Sequence, residues 1–75
     1  MRTLNTALLL KCVEARGPLG REILAVESMI SFVKIDRLLK GLAYAKPLEM
    51  DSLCRATGQV LNDLFPVIAT EEEAS

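Results

Sequence analysis

Apolar residues recur along this chain at three- and four-residue steps, the spacing of one helical face. From about Asn5 to Arg16 the stripe is Leu4, Leu8, Leu9, Cys12 and Val13, and either Thr3 or Asn5 can supply the N-terminal cap. Gly17 and Pro18 close this helix, because Gly takes the left-handed conformation after a helix and Pro cannot extend the hydrogen-bond ladder. A second helix is predicted over Gly20 to about Ser28. Its apolar positions are Leu19, Ile23, Leu24 and Val26, with Ala25 in the middle and Arg21, Glu22 and Glu27 facing water. Only a tight turn, Ser28 to Ile30, separates it from a third helix capped by Ser31. That helix carries Ile35 and Leu38 inward and ends at Gly41.

Leu42 to Lys46 has no period and reads as a loop. Pro47 suits the first turn of a fourth helix, where its missing N–H costs nothing. Met50, Leu53, Cys54 and Thr57 form that helix's inner face, and Gly58 ends it. A last short helix fits Leu61 to about Phe65, burying Leu61, Leu64 and Phe65 just before Pro66. Thr70 to Ser75, with Glu71, Glu72 and Glu73 in a row, is expected to be an acidic, disordered tail behind a single domain of residues 1–69.

Composition narrows the function classes. The chain has 75 residues, of which 51% are apolar and 25% charged, too apolar for a disordered chain and long enough for one domain. No apolar run approaches the ~18 residues of a membrane span, and Thr6–Leu10 is too short for a secretory leader, so a cytoplasmic address is expected. Histidine is absent, which removes the imidazole base, nucleophile pairs built on it and imidazole metal ligands. Cys12 and Cys54 show no CxxC spacing and cannot complete a zinc site by themselves. They read as small buried hydrophobes, with a disulfide or a dimer link as the other option. Neither enzymatic activity nor a cofactor, metal or small-molecule ligand is expected.

From Leu24 onward the chain resembles the lambda-repressor-like, Cro/Xre-type helix-turn-helix family. Leu24-Ala25 looks like the Leu-Ala pair of the family's second helix, with Ala25 small enough for two helices to cross closely. Ile30-Ser31 looks like the close of the turn and the cap of the recognition helix. Ile35, Arg37, Leu38 and Gly41 match that helix's pattern. Leu53-Cys54-Arg55-Ala56, Gly58 and Leu61-Asn62-Asp63-Leu64-Phe65 look like the last two helices. Four positions depart from the pattern. Pro18 looks like a one-residue insertion before the second helix. Met29 stands where the turn usually has Gly, at a cost of ~1 kcal/mol for a Cβ at positive φ. Gly20 and Val60 stand where the family usually has capping side chains. The resemblance implies an all-α, five-helix domain acting as a small sequence-specific DNA-binding transcriptional regulator, a repressor on family grounds and a homodimer on double-stranded DNA.

In such motifs the second helix of the pair enters the major groove with its first outward residues on base edges. The residues expected there are Ser31, Phe32, Val33, Lys34, Asp36, Arg37 and Lys40, with Lys46 in the following loop. Phe32 and Val33 would meet thymine methyls, Arg37 guanine, and Lys34 or Lys40 phosphates. The alternative reading is a protein-interaction module, such as a phage-type inhibitor or an antitoxin, that uses Phe32, Val33 and Leu39 as an apolar patch. In a third, Phe32 folds back on the core. Charge supports the first reading in part: residues 31–46 carry four cations against Asp36 alone. Removing the three charges of Glu71–Glu73 from the formal −1 leaves +2 on residues 1–70. Glu14, Glu22, Glu27, Glu49 and Asp51 read as a scattered, solvated surface.

Overall fold

The structure, a computed structural model, describes residues 2–68; the acidic segment 70–75 lies outside the described residues. Five helices follow in order: α1 (Thr6–Ala15), α2 (Gly20–Ser28), α3 (Phe32–Leu39), α4 (Pro47–Thr57) and α5 (Leu61–Leu64). Their boundaries fall where the punctuating residues predict. Asn5 caps α1, its Oδ1 accepting from the Leu8 N–H at 3.1 Å. Ser31 caps α3, its Oγ accepting from the Lys34 N–H at 3.2 Å, and Pro47 opens α4. Among the described residues the only β-pairing is an isolated antiparallel bridge between Arg2 and Val67. It is reinforced by the Arg2 guanidinium, which donates to Asn62 Oδ1 at 2.8 Å and the Phe65 carbonyl at 2.9 Å. Among the described residues no helix is long and apolar enough to cross a membrane.

One core joins all the helices. Leu9 and Val13 of α1, Leu24 of α2, Ile30 of the turn, Ile35 and Leu38 of α3, Leu53 of α4, and Leu64 and Phe65 at α5 are buried together. Cys12 is buried beside this cluster, Cys54 packs partly buried against it, and both thiols are free.

The second helix departs from its sequence reading. Its covered face is Gly20, Leu24 and Ser28, at four-residue steps. Leu19, Ile23 and Val26, expected inward, face out. The reason is steric. A Cβ on Gly20 would lie 2.0 Å from the Val13 carbonyl oxygen, so α1 crosses α2 at backbone contact and only glycine fits. Gly20 therefore serves this crossing rather than a cap; Leu19 holds the N-cap position and makes no side-chain cap bond. Ser28, buried on the same face, satisfies its hydroxyl by donating to the Leu24 carbonyl at 2.7 Å. Small residues thus fill the crowded side and push the large apolar ones outward.

Two smaller corrections follow. Leu61, expected inward, lies exposed on α5, which at four residues can bury only Leu64 and the Phe65 that follows. Leu39, expected on an exposed patch, packs partly buried against the core.

Candidate nucleic-acid interface

Helices α2 and α3 are joined by Met29, Ile30 and Ser31, and each residue has a defined duty. Met29 adopts the left-handed conformation, φ 59°, the only non-glycine among the described residues to do so. Its N–H donates to the Val26 carbonyl at 3.3 Å and the Ile30 N–H to the Ala25 carbonyl at 3.2 Å. This pair of bonds is the Schellman closure of a helix end. Ile30 turns into the core, and Ser31 begins the next helix. Met29 therefore carries the strain of a positive φ on a fully solvated side chain.

The charged residues of α3 fall into two groups. Asp36 holds Lys40 Nζ at 2.8 Å and receives Arg21 of α2 at 3.1 Å. The hydrogen bond from Lys40, with the charges of Lys40 and Arg21, keeps its carboxyl below the usual value. Lys34 turns the other way, toward α4, where its Nζ lies 3.4 Å from Glu49 Oε1. The same oxygen accepts the Lys46 N–H at 2.8 Å. The Lys46 backbone bond, helped by the Lys34 charge, holds the Glu49 carboxyl below its ordinary value. Glu49 so closes the first turn of α4 and ties it to α3.

Arg37 is the exception. It is exposed and enters no ion pair or side-chain hydrogen bond among the described residues. Val33, one turn earlier, is 56% exposed. Phe32 is 43% exposed and sits at a recess lined by Leu10, Val13, Pro18 and Gly20, at the mouth of the α1–α2 crossing. It therefore leans toward α1 and α2 as well as toward solvent.

Of the sequence-selected residues, the structure thus groups Val33, Asp36, Arg37 and Lys40 on the outer side of α3, with Phe32 at one edge. Ser31 is occupied as a cap. Lys34 and Lys46 converge on Glu49 at the α4 edge. Arg21, read from the sequence as merely solvated, joins the face through Asp36. Its spacing from Asp36 crosses two helices, so no local pattern marks it.

The carboxylates are less idle than they read. Glu27 bonds the Arg16 Nε at 2.6 Å, and Arg16 also donates to the Cys12 and Ala56 carbonyls at 2.7 Å each, joining α1, α2 and α4. Asp51 pairs with Arg55 one turn on. No family model matches this chain, and no curated protein or solved structure does either.

Proposed function

We propose that this chain is a small sequence-specific DNA-binding regulator of the Cro/Xre helix-turn-helix kind, acting as a repressor and as a homodimer, with α3 laid in the major groove. The observation that carries the reading is the free guanidinium of Arg37 on an outer helix face beside the exposed Val33, on a helix held by a three-residue turn. Arg is the side chain best shaped to bond guanine O6 and N7 together, and Val33 and Phe32 suit thymine methyls. Arg21 and Lys40 flank this reader as phosphate contacts, exchanging Asp36 for the duplex, and Lys46 adds a cation at the α4 edge. Two copies would present two such helices about 34 Å apart on one side of the duplex.

The test is selection from a random duplex library with the full chain, followed by binding at several salt concentrations. A motif of two half-sites about one helical turn apart should be enriched. Affinity for it should fall at least about a hundredfold between ~50 and ~200 mM salt. A folded chain that enriches nothing overturns the reading.

One observation favours a second reading on the same face. Lys34 and Lys40 are already neutralised by Glu49 and Asp36, which leaves Phe32 and Val33 prominent for a protein partner. The partly buried Leu39 contributes less to such a patch than its position suggests. In that case Phe32→Ala destroys a protein complex while salt has little effect.

A further inference from the structure

The outer side of α2 is apolar and uncovered. Leu19, Ile23 and Val26 are 61%, 40% and 78% exposed, although α1, α3 and α4 cover the other sides of the same helix. Their spacing of four and three residues is that of the seam positions d, a and d of a coiled-coil helix. In that frame Glu22 falls at g and Glu27 at e, the two positions that border the seam and choose its partner. The three apolar side chains and the aliphatic stems of both glutamates line one shallow recess. Glu22 has no ion-pair partner among the described residues, and Glu27 keeps an exposed side chain beside its bond to Arg16.

These acids decide what can cover the seam. In a parallel pairing with a second copy, Glu22 of one chain meets Glu27 of the other, the ordinary g-to-e contact. In an antiparallel pairing, Glu22 approaches its own copy near the two-fold axis. The antiparallel arrangement sets two unpaired Glu22 charges together on a seam only three residues long, and the parallel one sets Glu22 against a Glu27 already held by Arg16. A helix bearing Lys or Arg at its own e and g positions meets attraction at Glu22, while Glu27 already holds Arg16. We infer that the outer face of α2 is a docking seam for an amphipathic helix of another protein, apolar along one stripe and flanked by basic residues.

The test uses the full chain and two synthetic amphipathic helical peptides, alike in Leu seams but carrying Lys or Glu at the flanking positions. Binding is read by fluorescence anisotropy and by amide shifts in NMR, with circular dichroism verifying each variant's fold. The Lys-flanked peptide should bind, with shifts centred on residues 19–27, and the Glu-flanked one should not. Val26→Asp should weaken binding roughly tenfold by placing a charge in the seam. Glu22→Lys should weaken it roughly fivefold and create binding of the Glu-flanked peptide. Glu14→Lys, an exposed acid on α1, is the control for net charge and should change little. The inference is overturned if the folded chain ignores the Lys-flanked peptide, if its shifts fall elsewhere, or if Glu14→Lys matches Glu22→Lys. It is equally overturned if the chain dimerises and Val26→Asp makes it a monomer, since a second copy is then the occupant.

Discussion

Helices α2 and α3 are neighbours of similar length, yet they divide their surfaces in opposite ways. Helix α3 buries large apolar residues, Ile35 and Leu38, and shows charge to solvent beyond its first turn, where Phe32 and Val33 are exposed. Helix α2 buries Gly20, Leu24 and Ser28, two of them small, and shows Leu19, Ile23 and Val26. An apolar stripe therefore does not by itself mark the covered face of a helix. Where three other helices crowd onto nine residues, room for close approach decides, and large side chains are left outside.

The contrast can be broken most forcefully from the inner side of α2. Leu24→Ala should cost about 3 kcal/mol in urea or thermal unfolding, because Leu24 is fully buried among α1, α3 and α4. Gly20→Ala, a single methyl, should cost about 2–3 kcal/mol because the carbonyl it strikes belongs to the backbone of α1. A loss below about 0.5 kcal/mol in either case would mean that α2 does not sit where the structure puts it. At the hinge between the two helices the sign reverses. Met29→Gly should stabilise by about 1 kcal/mol, since glycine takes the left-handed conformation freely and the methionine side chain is solvated. For a domain of this size that raises Tm by roughly 4–8 °C.

The pairs that tether α3 give a smaller, pH-dependent effect. The carboxyls of Asp36 and Glu49 sit below their ordinary values of 3.8 and 4.5 in the fold. The folded state therefore binds their protons less readily than the unfolded chain does. Their stabilisation is present above the ordinary values and is lost as pH falls through the lowered ones. Unfolding measured from pH 6 to 3 should show stability dropping below about pH 4.5, with a shallower drop for Glu49→Gln. The smallest effect belongs to the outer side of α2, where Val26→Ser should change stability by less than about 0.5 kcal/mol.

Most helix ends were legible in the sequence because single residues set them: Ser31 as a cap, Pro47 at a first turn, Gly41 at a stop. At α1 the choice between Thr3 and Asn5 fell to Asn5 only in the fold. The inward residues of α1, α3 and α4 were equally legible, since a large apolar residue at helical spacing there has only one side to hide. The inner face of α2 was not, because Gly20 and Ser28 carry no hydropathic signal and declare themselves only against Val13 and Leu24. The outer face of α3 was readable as a set of residues, but not as a circuit. Whether Lys34, Lys40 or Arg37 is free depends on Glu49 and Asp36 being within reach, which sequence distance does not reveal. The role of Arg16, spanning three helices through two carbonyls and Glu27, was likewise hidden.

Whether the free side of α3 reads DNA through Arg37, as proposed, is decided by the affinities of the wild-type chain, Arg37→Ala and Arg55→Ala for a selected duplex and for a scrambled one. Arg55 is an exposed arginine on α4, paired with Asp51, and serves as the charge-matched control. Arg37→Ala should lose about 1–3 kcal/mol of preference for the selected duplex, while Arg55→Ala keeps it. Equal losses in both variants, or no loss in either, would rule out that role for Arg37.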